Sequence, residues 1–281
     1  MSGCNVKMKE VITGIIVSVI VTTFFLNSQA WSETVKKQNH AFYISVETLN
    51  YMIAKDNAAV IVDIRKSKDF NVLRIPGSEN IPLYAIKTRN YLKTKKVVLV
   101  NEGFRRSLPE KECEKLKKLG FRVQILSGGL AAWKAKGQAL EGDPFKAKRL
   151  NRISSYDFAL EMEAQNTILV DISKEPSAVF KQLSHFKHFP VSDSKAGAER
   201  LGKHIGAMIS KIPLSVVITN ETGEKYDRIE KVLSSSGNRM VFYLDGGNNG
   251  YLGFLKNHNS MNMDRKKRLV KQQGCSTCGD E

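Results

Sequence analysis

Three short apolar runs occur in the same order in each half of the chain, and that repeat limits the fold more than any other feature. In the first half they are AVIVDIR (Ala59 to Arg65), VVLV (Val97 to Val100) and RVQIL (Arg122 to Leu126). In the second they are TILVDIS (Thr167 to Ser173), SVVIT (Ser215 to Thr219) and MVFYL (Met240 to Leu244). The first run of each set carries an Asp, the second enters a polar loop beginning with Asn, and the third enters a Gly-Gly pair. Asp63 and Asp171 are 108 residues apart (171 − 63), a domain-sized repeat well beyond solenoid length. Runs this short and this rich in Val, Ile and Leu suit strands covered on both faces, which in turn implies a parallel sheet.

Helical segments alternate with these strands. Ser45 caps an amphipathic stretch through Ile53, and Ser154-Ser155-Tyr156-Asp157-Phe158 opens its counterpart. A Lys/Glu-rich helix follows the first loop and ends at Leu119-Gly120. The predicted fold class is α/β: two domains, each a central parallel sheet flanked by helices on both faces. The expected divisions are a leader at 1–30, a linker at 31–42, a first domain at 43–137, a linker at 138–150, a second domain at 151–256 and a tail at 257–281.

The leader is an address. Lys7 and Lys9 precede the uncharged run VITGIIVSVIVTTFFL (Val11 to Leu26), and Ser28 and Ala30 offer small residues for a signal peptidase. A cleaved signal peptide and a retained membrane anchor both fit, and both put the domains outside the cytoplasm, in a periplasmic or membrane-anchored setting. The formal net charge of +16 fits a solvated basic surface and an acidic partner. With an export signal and no recognisable nucleic-acid-binding module, nucleic acid is not an expected partner.

AVIVDIR, RIPGSENIPL (Arg74 to Leu83), VVLVNEGFRRS and ILSGGLAAWKAKG (Ile125 to Gly137), in that order, resemble the rhodanese (sulfurtransferase) domain. The second half resembles it more loosely, its proline turn reduced to HFKHFPVS (His185 to Ser192). The resemblance implies a tandem rhodanese. It also implies that the residue after the fourth strand is a Cys whose thiolate carries sulfur in a loop ending in Arg or Lys. Asn101 and Asn220 stand at those two positions, and an amide cannot accept sulfane sulfur at any pH. Neither half is therefore expected to run the family reaction.

The candidate anion- or ligand-binding loops are Asn101, Glu102, Gly103, Phe104, Arg105, Arg106 and Ser107, and Asn220, Glu221, Thr222, Gly223, Glu224 and Lys225. They keep N–H donors and cations in front of a helix start, which is what an anion needs. Cys113, spaced with Leu116 and Leu119, reads as a core residue. His185, His188 and His204 lack an acidic third ligand nearby, so no metal is assigned, and no cofactor is called for. In the tail, Ser260 is expected to cap a basic helix over Met261 to Gln273, hinged near His258-Asn259 and followed by Cys275-Ser276-Thr277-Cys278. That CxxC pair is a redox candidate. Two function classes follow: a non-catalytic binding or scaffold module that holds a small anion or a partner protein, and a sulfur or thiol relay through Cys275 and Cys278.

Overall fold

A computed structural model of the chain describes residues 42–55, 59–162, 167–192, 194–209, 215–235 and 241–274. The leader and the Cys275/Cys278 pair lie outside the described residues. In the first unit the order is β1 (Tyr43–Ile44), α1 (Val46–Ala54), β2 (Ala59–Asp63), α2 (Ser67–Val72), β3 (Leu73–Arg74) and β4 (Glu79–Asn80). Two 3-10 turns, Leu83–Thr88 and Asn90–Thr94, lead to β5 (Lys96–Val100), α3 (Ser107–Lys118), β6 (Arg122–Leu126) and α4 (Gly129–Ala135). The connection holds β7 (Glu141–Gly142) and α5 (Pro144–Lys148). The second unit runs β8 (Arg152–Ile153), α6 (Ser155–Glu161), β9 (Thr167–Asp171), β10 (Phe186–His188), α7 (Lys195–Ile209), β11 (Ser215–Thr219), α8 (Asp227–Ser235), β12 (Val241–Leu244) and α9 (Gly247–Gly274).

Each unit is built on a five-stranded sheet whose paired strands are all parallel. The orders are β1-β6-β5-β2-β4 and β8-β12-β11-β9-β10, the same path through both sheets. The α/β architecture read from the strand repeat is the one observed. Central strands β5 and β11 are buried almost throughout, as continuous apolar runs require. Ser45 and Ser154 cap α1 and α6 as the sequence indicates, accepting from Thr48 N and Asp157 N. The connection is clipped onto the first unit, since β7 pairs antiparallel with β3.

The tail departs from expectation. No hinge lies at His258-Asn259, because α9 runs unbroken from Gly247 to Gly274 and passes through Ser260. Ser260 is not a cap; its hydroxyl donates to the Lys256 carbonyl one turn back (2.9 Å), a bond available to Ser inside a helix. The segment between Gly253 and Gly274 contains no Pro or Gly to break the ladder.

Candidate functional site

Asn101 and Asn220 follow directly on Val100 and Thr219, the last residues of β5 and β11. In both units the loop is fastened by the start of the helix after the Gly-Gly pair. Leu130 N donates to Asn101 O (2.8 Å) and Ala131 N to Glu102 O (3.1 Å); Asn248 N donates to Asn220 O (2.7 Å) and Asn249 N to Glu221 O (3.0 Å). The contact is tight enough to demand glycine. A Cβ on Gly129 would sit 2.3 Å from Asn101 O, and one on Gly247 would sit 2.3 Å from Asn220 O, both at positive φ.

The two Asn side chains fill their loops from within. Asn101 Oδ1 accepts from Gly103 N (2.9 Å), and its amide nitrogen donates to Arg105 O. Asn220 Oδ1 accepts from Gly223 N (2.6 Å), and its amide nitrogen donates to Glu224 O (2.8 Å). A thiolate could take the first bond of each pair but not the second, because it cannot donate. An amide suits both, so at these positions Asn ties the loop across its own mouth.

In the first unit the rest of the loop faces the second unit. Phe104, 2% exposed, belongs to the second unit's core, with its ring centroid 5.1 Å from that of Phe242 and Phe158, Phe180 and Tyr251 in the same cluster. Arg105 Nε lies 3.8 Å from Asp157 Oδ1. Arg106 N and Ser107 N each donate to Glu161 Oε1 at 3.1 Å, and Ser107 Oγ donates to Glu161 Oε2 at 2.7 Å. This carboxylate, only 4% exposed, sits on the first amides of α3, whose N-cap residue Arg106 makes no side-chain cap of its own. The anion expected at that helix start is thus a side chain of the same chain. Arg106 is turned away from the loop mouth, its guanidinium 5.0 Å above the Tyr43 ring and its Nε donating to Tyr43 OH. Burial pushes the Glu102 carboxyl above the usual carboxylate range, against the opposing pull of Arg65 and Arg105.

The second loop opens instead onto a cleft of about 730 Å³ that it shares with the connection. Two of the cations lining it are paired: Arg149 with Asp245 (3.2 Å) and Arg152 with Glu230 (3.1 Å), the Arg152 guanidinium lying 4.8 and 4.9 Å from the centroids of the adjacent Tyr226 and Tyr243 rings. Lys148 and Lys225 also line it and are exposed. Lys225 adopts φ 59°, a left-handed conformation uncommon for a side-chain-bearing residue.

Of the remaining candidates, Cys113 is fully buried, and burial pushes its thiol up to about 11. Leu119 does not share that buried face: it is 52% exposed at the end of α3. His188 Nε2 lies 2.9 Å from Ser173 O, and the His204 ring stacks on Phe189. Asp63 and Asp171 each accept from the backbone N–H two residues on, but Asp63 is held by Arg65 and Asp171 by Ser173 and Asn248. Glu161, Asp157 and Asn248 were not legible as site residues. Glu161 with Arg106, Asp157 with Arg105 and Asn248 with Asp171 bridge 55, 52 and 77 positions in sequence, and nothing local marks them.

Comparison with curated proteins gave no match. Among solved structures, the chain is similar to a Bacillus halodurans protein at 25% identity, covering 41% of this chain and 86% of that one, with a TM-score of 0.35. It is similar to thiosulfate sulfurtransferase from Pseudomonas aeruginosa at 17% identity, covering 78% of this chain and 46% of that one, with a TM-score of 0.34. A structure of a 3-mercaptopyruvate sulfotransferase from Escherichia coli is similar at 14% identity over 74% of this chain and 98% of that one, with a TM-score of 0.30. Residues 45–136, about a third of the chain, match the family model of the rhodanese-like domain.

Proposed function

We propose that the chain is an exported, tandem rhodanese-like protein that acts as a non-catalytic binding module. The observation that carries this reading is the state of the two Asn side chains. Each stands where the family resemblance implies a sulfur-carrying thiol, and each is bonded at both its oxygen and its nitrogen inside the loop. The first loop then serves as a joint between the units. The second, open to the cleft with Lys148 and Lys225, is where a small anion or an acidic group of a partner protein binds.

A thiosulfate:cyanide assay on the purified chain tests this. No turnover is expected, either in the native chain or in a Cys275→Ser/Cys278→Ser variant. Turnover in the native chain that vanishes in the variant would overturn the reading in favour of a relay through the C-terminal pair. Turnover that survives in the variant would overturn it in favour of a site elsewhere.

A further inference from the structure

In a parallel sheet every strand starts at the same edge. In the first unit that edge lies opposite the Asn101 loop and the joint, and it is basic. Ala59, Lys96 and Arg122 are register neighbours on β2, β5 and β6, so two exposed cations stand side by side at the strand starts. Like charges in that relation repel. Lys93 and Lys95 precede β5, Lys118 ends α3 beside the half-exposed Leu119, and Lys55 follows α1, all four lysines exposed. Glu114 is paired with Lys118 (3.0 Å). The acidic side chains of the joint, Glu102, Asp157 and Glu161, belong to the opposite edge or to the second unit.

The chain enters the fold on β1, which pairs with the last two residues of β6 rather than with its start. Phe42 packs into the cluster that contains Leu116, with Lys117 Nζ 4.5 Å from its ring centroid. Residues 27–41, fifteen in all (41 − 26), separate it from the uncharged run Val11 to Leu26. Even fully extended, fifteen residues reach only about 50 Å. Anything that receives the apolar run is therefore held within that distance of Phe42, in the same unit as the basic edge.

We infer that the strand-start edge of the first unit is a docking face for an anionic lipid surface. The lysines and Arg122 meet the headgroups, and Leu119 lies at the interface. This turns the Asn101 joint away from the membrane. Basic side chains near an anionic surface each contribute about fivefold to partitioning. The effect belongs to this face and is independent of the scaffold reading above.

The test is flotation of the full chain with vesicles of phosphatidylcholine alone and with about a third phosphatidylglycerol. The ratio of the two partition coefficients is the readout, because the apolar run contributes to both and cancels. Partition into the neutral vesicles separately reports whether that run anchors. The triple variant Lys93→Gln/Lys95→Gln/Lys96→Gln should lower the ratio about a hundredfold. A control with the same charge change on the second unit, Lys174→Gln/Lys181→Gln/Lys187→Gln, should leave it within about threefold. Equal loss in both triples would overturn the proposal, since net charge alone would then explain the binding. A native ratio near one would also overturn it, leaving an acidic protein as the occupant of the face.

Discussion

Glu161→Ala should uncap a helix in the other unit. Glu161 ends α6, where a negative charge faces the unfavourable end of its own helix dipole, yet it lies on the amides that begin α3, the favourable end. Truncation removes the acceptor for Arg106 N, Ser107 N and Ser107 Oγ together. Bonds to a charged acceptor contribute about 1.5–3 kcal/mol each, but water entering the space left behind re-satisfies part of that, so a loss of about 3 kcal/mol is expected. Glu161→Gln keeps one acceptor oxygen and loses the charge, and should cost about 1 kcal/mol. Urea unfolding followed by tryptophan fluorescence reads the first unit through Trp133, which is 4% exposed in its core. A Ser107→Ala double-mutant cycle isolates the pair, with a coupling of about 1 kcal/mol or more expected. If Glu161→Ala shifts stability by less than about 0.5 kcal/mol and the cycle closes to zero, the joint is not what holds the loop.

Two further outcomes follow from the loops. Glu102 has a carboxyl whose folded pKa is raised by burial, so its contribution is full below the unfolded value near 4.3 and is lost as pH rises through the folded value. Glu102→Gln should therefore stabilise the protein at neutral pH and converge with the native chain in acid; a difference that stays constant across pH-resolved denaturation would refute the assignment. Asn220→Cys puts a thiol beside Gly223 N at a loop open to solvent, so iodoacetamide titration should find its pKa below the ordinary ~8.5; an unshifted value would mean that the loop amides no longer converge.

What the sequence disclosed was set by local chemistry. Strands β2, β5, β6, β9, β11 and β12 were legible because each is a compact apolar run bounded by polar or glycine turns. The Ser45 and Ser154 caps were legible because a cap acts within three residues. The tail helix was misjudged because a Ser after a polar stretch reads as a start, while the turns N-terminal to it, NNGYLGFLKNHN, are rich in Asn and Gly and hide a helix that tertiary packing on α6 supports. Leu119 was misplaced because helical spacing cannot tell the last turn of a helix, where the chain leaves the core, from the turns before it. Phe104 is the clearest case. Within its own loop it is an apolar residue among charges, and only the second unit's aromatic cluster gives it a place.

On the proposed reading, the two loops depart from sulfur chemistry to different depths. A working thiolate needs free amide donors and a route for substrate. The second loop borders an open cleft through Thr222 to Lys225 and is tied across by one side chain, Asn220. The first loop is blocked three times over: Asn101 bonds both ways across the loop, Phe104 is packed into the neighbouring core, and a buried carboxylate already occupies the first amides of α3. Changing Asn101 to Cys would remove only the first of these. A thiol placed there would still face a closed joint, and opening the joint means withdrawing Phe104 from its cluster, which for a buried Phe costs about 3–5 kcal/mol. On the proposed reading, the first loop therefore holds the two units together, and exchange with an outside ligand falls to the second.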